Sequence, residues 1–423
     1  MTSETSRADG QAGSQPESSA PRVLSSRRRL AELIILGALS AFGPLSMDMY
    51  LPATPSMATD LHATQPMVQL TMSGCLAGLA VGQFIAGPLS DGYGRRRPLM
   101  IGLAAFTALS VACAVAPDVV TLIILRFLQG AAGATGVVLS LAMVRDMYEG
   151  KELARVLGSL TLVFGLAPVL APVLGGQILR FTDWRGIFGA LAALGLVLGA
   201  LSWFLAETLP AARRTRPHFR RLLADSRTLL RDRQYTGNTA AVAFGTAALI
   251  TYISTLPFIV EDGYGKSPQL FSLFFMINSV GLVLMAQLGT RLVKKRKVET
   301  LVVVPLIVMV AAAGALLVAA LTAHPPLIAL LVPLFVFVAA FGMMRPNGTA
   351  LAMADQGAIA GTASAFHGAL PFLFGAFLAP LAGLGGLGNP VPTAIAIGVL
   401  SVVALVLQRV LTRGSGSPSR TNR

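Results

Sequence analysis

Two ionisable side chains, Asp48 and Arg126, lie inside long apolar stretches of this 423-residue chain. A carboxyl group in partly dry surroundings can exchange a proton near neutral pH, and it can also attract a cationic or polar ligand. An arginine cannot lose its proton in a protein, so it needs polar partners when it is buried. These two residues are therefore the first candidates for chemistry within the apolar part of the chain.

The neighbours of Arg126 form one polar helix face. Its members, which are spaced by three or four residues, are Arg126, Gln129, Gly133, Gly136 and Ser140. Such a small, polar face is expected to look at a cavity or a neighbouring helix rather than at lipid. Other interpretations stay open: Arg126 as a fixed ion pair or extended to the surface, and Asp48 as a cap at the outer interface before Pro52.

A short charged turn, GPLSDGYGRRRP at residues 87–98, interrupts the apolar sequence. Its glycines permit a tight turn, and Asp91 can receive an arginine or cap the N-terminus of a helix from the other half of the chain. We expect a latch, or inner gate, on this face of the protein. Its members are Gly87, Asp91, Gly94, Arg95 and Arg96, with Arg145 and Asp146 as partners. Alternatively the arginines only set the topology, which we favour for Arg97.

The composition excludes a soluble globule. The chain is 54% hydrophobic and 12% charged, whereas a soluble domain carries about 25% charged residues. The apolar residues come in stretches of about 20, the length of a helix that crosses a bilayer. Cys75 and Cys113 both lie in such stretches, which indicates small apolar side chains in packed helices rather than a disulfide framework.

Hydropathy predicts an all-α polytopic membrane protein with twelve transmembrane helices. The predicted spans are 30–51, 66–89, 98–116, 119–143, 155–179, 185–206, 237–260, 268–290, 300–322, 326–347, 361–384 and 391–411. Span 10 is expected to end at Arg345, Pro346 and Asn347.

The basic residues predict an orientation. With the N-terminus inside, all but four of the 33 Lys and Arg residues fall in inner turns, the central linker or the tails. Inner loops of membrane proteins carry such an excess. We therefore expect both termini in the cytoplasm, and membrane topology rather than nucleic-acid binding explains the net charge of +14.

The spans divide into two pseudo-symmetric halves of six. LSDGYGRRR (89–97) aligns with LGTRLVKKR (288–296), and each lies between the second and third spans of its half. Parallel six-span repeats with a binding site between them describe one large transporter architecture. The expected units are a disordered tail at 1–29, six-helix halves at 30–206 and 237–411, a basic linker at 207–236 and a tail at 412–423.

Four motifs resemble the major facilitator superfamily, over residues 30 to 411. GPLSDGYGRRRP resembles its motif A, and RFLQGAAGA (126–134) resembles its span 4 motif. LAPVLAPVLGG (166–176) is similar to the span 5 motif of drug/proton antiporters, although Ala171 stands where that motif usually has glycine. DMYLPATP (48–55) is similar to the Bcr/CflA branch of bacterial multidrug efflux proteins.

The resemblance implies roles for particular residues. Asp48 and Arg126, with Gln129, would couple the proton state to substrate binding. The span 5 motif would pack against the other half and resist leak; its members are Gly165, Pro168, Pro172, Gly175 and Gly176. Proline permits a bend and glycine permits close approach of helices.

The expected function is proton-coupled efflux of drug-like or lipophilic small molecules, by alternating access in the cell membrane. The alternatives are a transporter for a single metabolite, such as a sugar, amino acid or purine, and a membrane receptor without flux. We see no phosphate-binding loop and no His/Cys cluster, and therefore expect no enzyme activity, cofactor, metal or nucleic-acid partner. The expected partners are the substrate, protons and the lipid bilayer, and the expected functional unit is a monomer.

Overall fold

The computed structural model describes residues 26–214, 227–356, 359–386 and 388–412, and the predicted tails and much of the linker lie outside them. Twelve long helices follow one another along these residues. They are α1 (Ser26–Asp48), α2 (Gln65–Tyr93), α3 (Arg96–Ala114), α4 (Val119–Met147), α5 (Gly150–Ile178), α6 (Trp184–Ser202), α7 (Arg233–Phe258), α8 (Pro268–Leu292), α9 (Thr300–Ala320), α10 (Leu327–Met353), α11 (Ala360–Leu378) and α12 (Pro390–Thr412).

The predicted all-α membrane fold is confirmed. Within the described residues, 11 helical stretches are long and apolar enough to cross a membrane. The remaining predicted span corresponds to α5, a helix of 29 residues. Because the number of crossings is even, α1 begins and α12 ends on the same side. We call this the terminal side and the other the distal side.

Several helices extend beyond the predicted spans because backbone hydrogen bonding continues where hydropathy falls. Helix α2 runs to Tyr93, so Gly87 and Asp91 lie in its last two turns and not in a loop. Helix α10 runs to Met353, which corrects the expected end of span 10 and places Arg345 eight residues, about 12 Å, inside the helix.

The contacts between helices repeat from one half to the other. In the first half, α4 contacts α1, α2 and α3, while α1 contacts α5 and α3 contacts α6. The same pattern, shifted by six helices, joins α10 to α7, α8 and α9, then α7 to α11 and α9 to α12. The two halves meet through α2 with α11 and α5 with α8, two pairs that the shift also exchanges.

Glycines set the closest helix crossings within each half. A Cβ built on Gly130 of α4 would overlap the carbonyl oxygen of Cys75 on α2. A Cβ built on Gly342 of α10 would overlap the carbonyl oxygen of Leu282 on α8. Equivalent helix pairs therefore use the same device, in which small residues let backbones approach.

Candidate functional site

Arg126 is fully buried in the first half, near the distal side. Its Nη1 donates to Oε1 of Gln129 at 2.6 Å and to the backbone carbonyl oxygen of Ser46 at 3.2 Å. Gln129 in turn donates from Nε2 to Oγ of Ser110 at 2.7 Å. The polar face predicted on α4 therefore meets α1 and α3.

Aromatic rings cover the guanidinium of Arg126. Its central carbon lies 4.5 Å from the ring centre of Tyr50 and 5.5 Å from that of Phe188. A cation over an aromatic face is stabilised most where water is excluded. Nε and Nη2 nevertheless have no hydrogen-bond partner among the described residues. The protein thus holds this charge in place but leaves donors unused.

Asp48 ends α1 and is also buried, with 2% of its surface exposed. Its Oδ1 has no hydrogen-bond partner in the described part of the chain. The described ion pairs include none between Asp48 and Arg126. The connection between these two residues is therefore indirect. It runs through the α1 backbone, since Arg126 bonds the carbonyl of Ser46, two residues before Asp48.

The second half approaches Asp48 through a tyrosine. Asp48 lies within electrostatic range of the buried Tyr252 on α7. The hydroxyl of Tyr252 accepts a hydrogen bond of 2.9 Å from Nδ2 of Asn278 on α8. Oδ1 of Asn278 has no partner among the described residues. A carboxylate, a phenol and an amide from both halves thus occupy one apolar region.

Asp48 is not the only buried acid among the described residues. Glu32, on α1 toward the terminal side, is 7% exposed. Glu261 lies partly buried in a turn of π-helix, Ile259–Gly263, that follows α7. Asp48 differs from both because it shares its surroundings with Arg126, through Ser46, and with the second half.

The span 5 motif joins the halves on the distal side. Oγ of Ser272 on α8 lies 2.8 Å from the carbonyl oxygen of Pro172 and 2.8 Å from that of Pro268 in its own helix, so its single proton is shared between the two. Nε2 of Gln269 donates to the carbonyl oxygen of Gly176 at 3.0 Å. A Cβ on Gly175 would overlap the carbonyl oxygen of Met49, next to Asp48. Gly165 and Pro168 lie within the same helix, closer to the terminal side.

A further bond closes the distal side between α2 and α7. Nε2 of Gln69 donates to the carbonyl oxygen of Ser254 at 3.2 Å. Together with the contacts of the span 5 motif, this bond ties the two halves at the distal ends of their helices.

On the terminal side, Arg95 is the centre of the predicted latch. It donates from Nη1 to Asp91 at 2.5 Å and to Ser90 at 2.7 Å, and from Nε to Asp146 at 2.9 Å. Burial alone would lower the pKa of Arg95, but Asp146 and then Asp91 hold it above its usual value. These bonds all stay within the first half.

Only one glycine of this segment makes the turn. Gly94 has a φ of +88°, which favours glycine. Gly87, in contrast, lies inside α2 with open space around its Cα. The prediction that Gly87 permits the turn is therefore wrong, because the helix has not yet ended there.

Glu207, which the sequence analysis missed, caps the start of α3. Its carboxylate accepts the backbone N–H of Arg95 at 2.8 Å and that of Arg96 at 3.3 Å. Burial would raise the pKa of Glu207, but backbone donors at Leu209, Arg95 and Arg96 lower it on balance. An acid just after span 6, on the side of the basic turn, was a usable signal.

The other predicted latch residues have different surroundings. Arg96 donates from Nη2 to the carbonyl oxygen of Trp203 at 2.6 Å. Asp146 also accepts a hydrogen bond of 3.1 Å from Thr208. Arg145 is exposed and has no partner among the described residues. In the described part of the chain, Asp91 makes no hydrogen bond or ion pair with the second half, so the expected cap across the halves is not formed here.

Residues 36–380 match the family model of the Major Facilitator Superfamily. The chain belongs to the Major Facilitator Superfamily. A relative in Bacillus subtilis (strain 168), an uncharacterized MFS-type transporter called YdgK, is 37% identical over 388 residues, which cover 90% of this chain and 94% of the relative. A bicyclomycin resistance protein homolog of Haemophilus influenzae is 29% identical over 381 residues, covering 90% of this chain and 96% of that protein.

A solved structure has the same fold. It is a bacterial homolog to the human lysosomal transporter Spinster, in an inward-facing and unoccupied conformation, with a TM-score of 0.74 at 15% identity, covering 94% of this chain and 100% of that one. The predicted superfamily and Bcr/CflA resemblance are confirmed. This Major Facilitator protein is thus a multi-pass membrane transporter of small molecules and not an enzyme.

The second half of this Major Facilitator protein carries another polar cluster, near the terminal side. His367 of α11 is 7% exposed. Its Nδ1 lies 3.0 Å from Oγ1 of Thr239 on α7, and its Nε2 lies 2.9 Å from Oγ1 of Thr349 on α10. Arg345 lies within electrostatic range of the ring. A histidine within a predicted span was a signal that the sequence analysis did not use.

Proposed function

We propose that this chain is a proton-coupled efflux transporter that exports drug-like or lipophilic small molecules by alternating access. The single observation that supports this most is Asp48, a buried acid where both halves meet, whose Oδ1 has no partner among the residues that the structure describes. An acid within a membrane protein is costly, and is a functional candidate by default. The named resistance function of the Haemophilus relative supports export of a drug-like substrate.

In this proposal, the two ends of the protein open in turn. The distal side is tied by Gln69, Gln269 and Ser272, whereas the Arg95 cluster of the terminal side bonds only within the first half. A substrate reaches the centre from the terminal side, which we propose to be cytoplasmic. Rocking of the halves then breaks the distal bonds, and a proton from outside neutralises Asp48 and releases the substrate.

Arg126 has a positioning role in this cycle. Its charge is permanent, and its bond to Ser46 holds the end of α1 that carries Asp48. We propose that Gln129 keeps Arg126 oriented through the chain of bonds to Ser110. The proposed functional unit is a monomer in the cell membrane, because residues of both halves of one chain surround the acid.

The test is transport by the purified protein in inside-out vesicles with an imposed proton gradient, followed with ethidium. We expect gradient-driven uptake by the wild type and its loss in Asp48→Asn, which keeps the shape of the side chain but cannot ionise. The matched control is Asp118→Asn, an exposed distal acid that caps α4 through Thr121 and whose amide can still accept that bond.

Full-rate uptake by a folded Asp48→Asn protein contradicts the proposed coupling. If folded wild-type protein moves no dye under any gradient, multidrug efflux is wrong. A screen of sugars, amino acids and purines then tests the narrow-substrate alternative, and a lack of any flux indicates a receptor.

A further inference from the structure

Arg345 stands out among the arginines inside the helices because no described residue bonds its guanidinium. It lies about 12 Å inside α10, counted from the terminal end of that helix. No described residue forms an ion pair or hydrogen bond with its guanidinium. An arginine at such a depth is costly unless it faces a partner or a water-filled cavity.

The side chain of Arg345 lies on the interior side of α10. Its charge is within electrostatic range of His367, which is buried between α7, α10 and α11. Because Arg345 itself is only partly buried, a ligand can still reach it. A side chain that is partly buried and close to His367 differs from one that extends away from the bundle to the lipid headgroups.

The hydrogen bonds around His367 fit a neutral ring. The single hydroxyl proton of Thr349 goes to the carbonyl oxygen of Arg345 at 2.9 Å, so this hydroxyl accepts from Nε2–H of His367. The hydroxyl of Thr239 then donates to the bare Nδ1. The imidazole thus supports the wall of the site without adding a charge, and Arg345 carries the full charge that the described residues place there.

Two acids near the terminal ends of α7 and α10 are used elsewhere or are exposed. Asp232 caps α7 through the backbone N–H of Gln234 and accepts from Gln356 at 2.6 Å. Asp355 is exposed, beyond the end of α10 and ten residues from Arg345. The residues that the structure describes therefore supply no anion to Arg345.

We propose that Arg345 binds the anionic group of a transported organic molecule, such as a carboxylate beside an apolar body. The guanidinium offers a planar fork of donors that matches a carboxylate. Phe366 of α11, one residue before His367, packs edge-to-face on Phe84 of α2 at 5.6 Å, so aromatic surface from both halves lies where α2 meets α11. The inference rests on the proposed function, since it names the class of substrate that reaches the terminal side.

This site is separate from the Asp48 region. Thr239 and Tyr252 are 13 residues apart on α7, which places the two regions about 20 Å apart along that helix. A substrate would therefore meet Arg345 first, on its way from the terminal side to Asp48. A zwitterion carries both signs of charge. It would therefore suit a path on which the substrate meets an arginine first and an acid second.

The test is equilibrium binding by fluorescence anisotropy to the full-length protein in phosphatidylcholine nanodiscs, without any gradient. The probes are rhodamine B and its ethyl ester, which share the cationic ring system and differ in the carboxylate. We expect Arg345→Gln to weaken binding of rhodamine B about tenfold or more, and that of the ester less than about twofold. Arg345→Lys, which keeps the charge but not the fork, is expected to lie between.

The matched control is Arg409→Gln, which removes an exposed arginine from the terminal end of α12 and should change neither affinity. Size-exclusion profiles and circular dichroism verify that each variant is folded. Equal weakening of both dyes by Arg345→Gln, no weakening of either, or failure of the wild type to bind rhodamine B would overturn the proposal. Because no gradient is used, a failure of proton coupling at Asp48 leaves this reading intact.

Anionic lipid is the competing source of a negative group. Nanodiscs that contain phosphatidylglycerol test it directly. We expect the preference of the wild type for rhodamine B over the ester to persist there. If that lipid abolishes the preference in the wild type but leaves Arg345→Gln unaffected, Arg345 holds a lipid headgroup and the substrate proposal is wrong.

Discussion

Helices α4 and α10 hold equivalent places in the two halves, and each carries an arginine about two turns inside one end: Arg126 near the distal end of α4 and Arg345 near the terminal end of α10. Both helices pack against the first, second and third helices of their half. The surroundings of the arginines nevertheless differ. Arg126 is fully buried, hydrogen-bonded to Gln129 and Ser46, and covered by Tyr50. Arg345 has none of these partners in the described structure and is partly open.

This difference separates a charge that the protein stabilises from one that it leaves available. Internal bonds fix Arg126, so it can hold the end of α1 in one geometry. The position of Arg345 inside the bundle is unfavourable, and no described side chain offsets this with a hydrogen bond or an ion pair. This pattern is expected where a ligand completes the bonding. The two halves therefore share their helix packing, but their arginines have different surroundings and, we infer, different roles.

The largest predicted effect tests this contrast by one substitution in each half. Arg126→Gln removes two hydrogen bonds from a charged donor, so we expect a loss of about 3 kcal/mol in stability. Arg345→Gln removes no internal bond, so its stability should equal or exceed that of the wild type. Thermal unfolding of the purified ligand-free proteins in detergent, followed by tryptophan fluorescence, measures both.

The two variants serve as controls for each other, because each exchanges an arginine for the same amide in equivalent helices. A similar loss of stability in both would show that Arg345 has internal partners, and the contrast between the halves would fail. Stability retained in Arg126→Gln would equally show that its bonds to Gln129 and Ser46 contribute little.

A second prediction tests whether the helix packing is as similar in the two halves as the contacts between helices indicate. Gly130→Ala and Gly342→Ala each place a Cβ against a backbone carbonyl of the neighbouring helix. Overpacking of this kind costs about 2 kcal/mol, and we expect both variants to lose this amount in the same unfolding experiment. Gly314→Ala in α9 is the control, since its Cβ meets open space.

Equal losses of stability at Gly130 and Gly342 would show that the two halves pack their helices alike. The difference between the halves would then lie in the surroundings of their arginines and not in the scaffold. A large loss at one glycine alone would show that one of the two crossings tolerates movement. Such a half would be the better candidate for rearrangement during transport.

The amino-acid sequence was sufficient to predict the transmembrane helices and the polar face of α4 that carries Arg126 and Gln129. Apolar stretches of about 20 residues and the distribution of arginines predict twelve spans, and the spacing of Arg126 and Gln129 places them together. Hydropathy could not predict the full length of α10, because a helix continues past the apolar residues as long as its backbone bonds are satisfied. Arg345 was therefore assigned to the end of a span.

The partners of the site residues could not be predicted, since they come from other helices. Tyr50 and Phe188 reach Arg126, and Ser110 reaches Gln129, only through the packing of α3, α6 and the segment after α1. A direct pair of Asp48 with Arg126 was a reasonable expectation from charge alone. Backbone geometry decides otherwise, by presenting the carbonyl of Ser46 to the guanidinium instead.

The smallest predicted effect extends the comparison to the basic turns that the repeat aligns. The first turn is capped by Glu207 through the backbone N–H of Arg95 and Arg96. In the second turn, Glu299 precedes α9 but its side chain caps nothing. We expect Glu207→Gln to lower stability at pH 7 by about 1 kcal/mol, as for a lost helix cap, and Glu299→Gln to leave it unchanged.

The effect should depend on pH in a definite direction. The pKa of Glu207 is lowered in the folded protein, so its charge stabilises the fold fully above the ordinary value of about 4.3. This contribution is lost as the pH falls through the folded value. The difference in midpoint temperature between wild type and Glu207→Gln should therefore shrink on acidification. A difference that stays constant down to the lowest pH tolerated would mean that the amide loses packing rather than charge, and that the two turns differ in shape alone.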